Sequence, residues 1–170
     1  MKELCSFTTI EEFWAYFNNV PRPSQVFYDG DSRKKVGVDR KTIEEYSLFK
    51  RGIEPEWGDP ANVTGGEWYV RQYLDGPVLE MFWQNPVVGE TIEDEVDGAG
   101  RGGGNVVNGV RVVDKSRNLP IFRLEIWINS KDPEVKQKVK TKLVEVVTDG
   151  VPGSAMVKGP SKFEWKDHAA

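Results

Sequence analysis

The sequence predicts an α+β fold, an antiparallel sheet with helices on one side. Three observations carry this. Several short segments alternate apolar and polar residues, the mark of strands with one buried and one open face. Other segments, chiefly "TTIEEFWAYFNNV" and "SKDPEVKQKVKTKLVEVVTDG", carry helical periodicity instead. The order reads strand, helix, strand, helix, paired strands, helix, strand.

Taken in order, "MKELCSF" is short, alternating and strand-like. The first helix follows, with Thr9 and Glu12 as a capping box and Ile10, Phe13, Trp14 and Phe17 on one face. It ends before Pro21. Residues 21 to 45 are polar, with a basic cluster at Arg33, Lys34 and Lys35, and read as a long surface excursion. "GIEPEWGDP" is a loop, because Pro and Gly punctuate it. "GGEWYVRQYL" is a strand with Trp68, Val70 and Gln72 on one side and Tyr69, Arg71 and Tyr73 on the other. "GPVLEMFWQNP" is a short helix that Pro86 cuts off. Trp68 and Trp83 read as core.

"GETIEDEVDGAGRGGG" contains a literal G-x-G-x-x-G at Gly98, Gly100 and Gly103. A dinucleotide site needs a strand before that pattern and a helix after it. An acidic run precedes it here and a strand-like segment follows, so a flexible loop is the better reading. "NVVNGVRVVDKSRNLPIFRLEIWIN" gives two strands and a turn. In the second, Phe122, Leu124, Ile126 and Ile128 share a core face. Arg123, Glu125 and Trp127 share the other, where burial does not require them. In the last helix Asp132 is the N-cap, Pro133 the first residue, and Val135, Val139, Leu143 and Val146 the buried stripe. Its lysines scatter around the helix and read as a solvated surface. "KFEWKDHAA" is a final strand.

With 170 residues, 38% apolar and 29% charged, the chain suits one soluble domain. A net charge of −4 excludes an overall electrostatic footprint for long nucleic acid. The one cysteine, Cys5, allows no internal disulfide and points to a reducing compartment. No apolar run approaches a bilayer span and no signal-peptide core opens the chain, so a cytosolic or nucleocytoplasmic location is expected. The lone His168 reads as structural or exposed. The residues offer no metal cluster, cofactor motif or nucleophile–base pair, so binding is expected rather than catalysis.

The loop at Trp57 raises its own question. A large ring stands among Glu54, Glu56 and Asp59, where it covers little core. Acids beside it repel phosphate and attract cations. The combination suits a flat, positively charged ligand, because a cation over an indole gains electrostatic attraction beyond stacking.

"EYSLFKRGIEPEWGDP", with "TIEEFWAYFNNV", "GGEW", "FW…VVGE", "RLEIWI" and "FEWKDHA", resembles the eukaryotic translation initiation factor 4E family, the mRNA cap-binding proteins. The blocks occur in the family's order over most of the chain. The resemblance implies a curved antiparallel sheet with three helices on its convex back. It implies a concave face that holds 7-methylguanosine between two Trp, and a cytoplasmic role in translation initiation. Carried over, Trp57 is the second sandwich Trp and Trp127 the methyl-contacting Trp. Arg123, Lys115 and Arg117 are phosphate ligands, with Arg111 replacing the last two under a different alignment. Trp14 and Ile10 fall on the dorsal surface that binds a helical peptide of the scaffold factor 4G or of a repressor.

Three departures are visible. Gly58 stands where the family has the Glu that grips the guanine edge, leaving Asp59 or Glu56 to replace it. The first sandwich Trp and the family's first strand are missing from this sequence, which reads as one domain over residues 1–170, truncated at its N-terminus. The segment between Trp83 and Gly89 is shortened and contains Pro86. Insertions at 21–44 and 97–105 exceed the usual pattern. A repressor or scaffold with weak or no cap binding is the alternative.

Overall fold

The computed structural model describes residues 2–88, 106–151 and 163–169. Its elements are helices α1 (Ile10–Phe17), α2 (Pro23–Val26), α3 (Gly76–Val88) and α4 (Pro133–Thr148). The strands are β1 (Lys35–Val36), β2 (Lys41–Thr42), β3 (Glu45–Phe49), β4 (Gly66–Tyr73), β5 (Val107–Asp114), β6 (Ile121–Ile128) and β7 (Glu164–Asp167). β1 and β2 form a small ribbon. The main sheet has five strands in the order β3-β5-β6-β4-β7, every neighbour antiparallel. The α+β fold follows as expected.

One side of this sheet is apolar. Val110, Val112, Phe122, Leu124, Ile126, Trp68 and Val70 meet α3 through Leu79, Phe82 and Trp83, and α4 through Val139, Leu143 and Val147. The indole N–H of Trp68 also donates to the Lys136 carbonyl at 3.0 Å. Glycines permit the closest approaches. A Cβ on Gly65 would sit 1.7 Å from the Ile128 carbonyl oxygen, and one on Gly109 would enter the Phe49 ring at 2.4 Å.

The N-cap of α1 is Thr9, whose hydroxyl accepts from the Glu12 N–H. The Glu12 carboxylate reaches the Thr8 N–H rather than that of Thr9, so the box closes one residue early. Asp132 caps α4 by accepting from the N–H groups of Glu134 and Val135, with Pro133 first in the helix. Of the four lysines on α4, Lys136 and Lys140 lie over the rings of Trp165 and Trp68, and Lys138 pairs with Glu134.

Several expectations are corrected. Residues 2–7 form no strand, and Glu45–Phe49 is a strand that its mixed composition hid. Residues 21–45 are not merely a surface excursion, because Val26, Phe27 and Tyr28 enter the core and Phe27 packs on Tyr46 and Phe122. Pro86 does not end α3, which continues to Val88. Its lost N–H removes one bond, and the buried ring repays this by packing. On α4 the buried residues are Val139, Leu143 and Val147, while Val135 and Val146 are half-buried. Four helices are present among the described residues rather than three. The glycine-rich pattern, the 97–105 insertion and "VVGE" beyond Val88 lie outside them.

Candidate functional site

The other side of the sheet is polar, and period-two alternation places its side chains. Register sets Glu67 opposite Trp127, Tyr69 and Arg111 opposite Glu125, and Ser47 opposite Arg111. Arg123, Glu125 and Trp127 of β6 therefore meet Glu67 and Tyr69 of β4, Arg111 of β5 and Glu45 of β3.

A chain of alternating charge crosses this face. Arg111 hydrogen-bonds Glu45 through Nη2 and, at 3.1 Å, through Nε, and lies 3.7 Å from Glu125. Arg123 Nη2 bonds Glu67. Its Nε lies 2.8 Å from a Glu125 oxygen without aiming an N–H at it, so that contact is an ion pair rather than a hydrogen bond. The Arg123 guanidinium also lies 3.9 Å over the Tyr69 ring. Burial opposes the charge on Glu67, but the hydrogen bond to His168 and the Arg123 charge hold its carboxyl below the usual range. Burial, then repulsion from Glu67, pushes the Glu125 carboxyl up despite both arginines.

At one end of this chain stand the two predicted tryptophans. Trp127 is buried, 1% exposed, with its indole N–H on Glu125 and its ring edge-on to Phe49. Trp57 is 42% exposed on its loop. His168 joins them, with its ring 4.4 Å from Trp127 and stacked 6.1 Å from Trp57. Nδ1 of His168 faces the Asn62 carbonyl and Nε2 faces Glu67. The Lys166 ammonium sits 3.6 Å over the Trp57 ring.

The Trp57 loop is firmly held. The Asp59 carboxylate accepts from the N–H groups of Glu54 and Ala61. Asn62, fully buried, donates to the carbonyls of Glu54 and Glu56 and accepts from Asn108. Both oxygens of Asp59 thus serve the loop first, while Glu56 is exposed. The Cβ position of Gly58 opens on free space.

Other predicted residues lie elsewhere. Lys115 and Arg117 are exposed beyond the end of β5. Asp114 there pairs with Phe122 while Gly109 pairs with Trp127, so the two bases are roughly 17 Å or more along the strand from Trp127. Arg111 is two residues from Gly109 and shares the Trp127 face, which favours the alternative alignment. Ile10 is 53% exposed and Trp14 half-buried among Phe13 and Phe17, on a helix with no fully buried residue. The expectation that burial does not claim the second face of β6 is corrected, since Arg123, Glu125 and Trp127 are all buried. Sequence reasoning missed Glu67 and the joining role of His168. The only sequence signal for them was position, Glu67 inside "GGEW" and His168 inside "FEWKDHA".

Comparison with known proteins adds a second line. The family model "Eukaryotic initiation factor 4E" matches residues 1–169. Eukaryotic translation initiation factor 4E of Candida albicans is 30% identical over 86% of this chain and 61% of its own length. Factor 4E-2 of Schizosaccharomyces pombe is 30% identical over 86% of this chain and 52% of its own. The chain thus spans 52–61% of these curated relatives. Among solved structures, C. elegans eIF4E-3 in complex with the 4E-binding protein Mextli aligns with a TM-score of 0.67 at 20% identity, over 98% of this chain and 80% of that one. Ascaris suum eIF4E-3 in complex with the m2,2,7G cap aligns with a TM-score of 0.67 at 22% identity, over 98% and 78%. At those identities the structures show a shared fold.

Proposed function

Because the chain belongs to the eukaryotic initiation factor 4E family, we propose that it binds the 7-methylguanosine 5′ cap of mRNA for translation initiation, as a binding module and not an enzyme. One observation carries the reading. Trp57 stands exposed on a braced loop, already under a cation, and shares His168 with Trp127. N7 methylation makes guanine a cation, and the Lys166 ammonium is a small analogue of it on the same indole. Stacking is worth ~1–3 kcal/mol and the charge ~0.5–2 kcal/mol more. The charge alone then favours methylated over plain guanine by roughly tenfold.

Trp57 is the stacking platform and Trp127 the inner wall. On the polar face Lys166 lies on the Trp57 ring itself, Arg111 and Arg123 are the arginines beside the rings, and Lys115 and Arg117 are left to the far, downstream end of the RNA. Asp59 braces the loop and Glu56 is the exposed acid for the guanine edge. Ile10 and Trp14 present the surface for a scaffold or repressor peptide. The solved relatives with a cap and with Mextli lend support to both partners. The place of action is the cytoplasm, with a nuclear pool compatible.

Titrating intrinsic Trp fluorescence with 7-methyl-GTP and with GTP tests this. Quenching by the methylated ligand at least tenfold lower in concentration is expected, and Trp57→Ala should abolish it. Equal response to both nucleotides would refute the site. Gly58 and the paired state of Arg123 favour one second reading, a repressor on this fold with weak cap affinity. No response to either nucleotide would select it.

A further inference from the structure

Each arginine near the tryptophans is already matched by carboxylates. Arg111 has Glu45 and Glu125; Arg123 has Glu67 and Glu125. Three acids therefore face two guanidiniums, and Glu67 and Glu125 are both buried. A phosphate group entering here meets no free cation from either arginine, and the Lys166 ammonium on the same face is taken up by the Trp57 ring and lies near Glu67. It must compete with carboxylates held at fixed distance, two of them shielded from solvent. The Trp127 indole N–H on Glu125 and the His168 ring on Glu67 hold those acids in place from outside the arginine pairs.

We propose that Glu67 and Glu125 are specificity-determining residues that make this face read the cationic base and largely ignore the phosphate chain. The inference rests on the cap-binding reading and sharpens it. The ligand class is a 7-methylated guanine with little dependence on how many phosphates follow. Glu125 is the hinge of the arrangement, since it alone neutralises both arginines. Its removal frees positive charge on Arg111 and Arg123 together. Glu45 touches only Arg111 and is partly exposed, so its removal is the milder version of the same change.

The experiment is a set of fluorescence titrations with 7-methylguanosine, 7-methyl-GMP and 7-methyl-GTP, at low and at physiological salt. The readout is the ratio of triphosphate to nucleoside affinity, which a merely structural role would not move. The wild-type ratio is expected within about threefold and nearly independent of salt, because exposed unpaired charges are what salt screens. In Glu125→Gln the ratio should rise at least tenfold and become salt-dependent. Glu45→Gln should raise it about threefold and keeps the test open should the buried change impair folding. A wild-type ratio above tenfold, or a ratio unmoved in both folded variants, would overturn this inference alone. Binding of none of the three ligands would overturn the cap-binding reading and this inference with it.

Discussion

The two sides of strand β6 are buried to a similar degree for opposite physical reasons. Leu124 and Ile126 are sealed by helices α3 and α4, and any apolar side chain of fitting volume serves there. Arg123, Glu125 and Trp127 are sealed by charges and rings from β3, β4, β5 and the His168 segment. Burial on the first side is favourable by itself. On the second it is tolerable only while every charge keeps its partner. The apolar side thus makes the fold, and the polar side carries the candidate site.

If that contrast is right, breaking one polar link should harm the protein as much as carving the core. Glu67→Gln leaves Arg123 and His168 without their shared carboxylate and should cost about 3–5 kcal/mol. Thermal unfolding followed by circular dichroism should show a melting point lower by roughly 6–20 °C. A shift under 2 °C would mean the charge chain is not structural. The pH dependence has a definite sign. The Glu67 carboxyl is held below its reference of 4.5, so its contribution is complete above that value and is lost as pH falls through the lower folded value. The gap between wild type and Glu67→Gln should therefore narrow below pH 4.5 and stay wide above it.

Leu124→Ala on the apolar side should cost about 2–5 kcal/mol with no such pH dependence. Gly109→Ala follows at about 1–3 kcal/mol, because its methyl group must push the Phe49 ring off Trp127. Its fluorescence response to methylated ligand should weaken as well, tying packing to the site. Smallest in stability is Trp57→Ala, about 1 kcal/mol or less, since the ring is 42% exposed and mainly meets Lys166 and His168. It should nonetheless remove binding to a 7-methylguanosine resin, while Trp14→Ala leaves retention intact. Gly58→Glu should tighten guanine binding up to tenfold, because its Cβ opens on free space and adds a second carboxylate beside the exposed Glu56; no gain would mean Glu56 already fills the role.

How much of this was legible can be judged residue by residue. The spacing of Phe122, Leu124, Ile126 and Ile128 announced a strand and its core side, because alternation is local. The caps at Thr9 and Asp132 were legible for the same reason. Trp57 was legible as an oddity, a ring that a Pro/Gly loop cannot hide. Strand β3 and the buried Phe27 were not, because their burial depends on what lies over them. Which of Lys115, Arg117 and Arg111 shares the Trp127 face was not legible either, because that is set by the register of β5 on β6, which puts Arg111 there.

What the sequence determined alone is the short-range part: strands, capped helices, an acidic loop with an unburied indole, and a family likeness strong enough to imply a ligand. What only the tertiary structure decided is which charges oppose one another. Glu67 and Arg123 are 56 residues apart, and His168 is 101 from Glu67. Hydrogen bonds and ion pairs act over a few ångströms, so chain separation carries no information about them until the sheet has set its register.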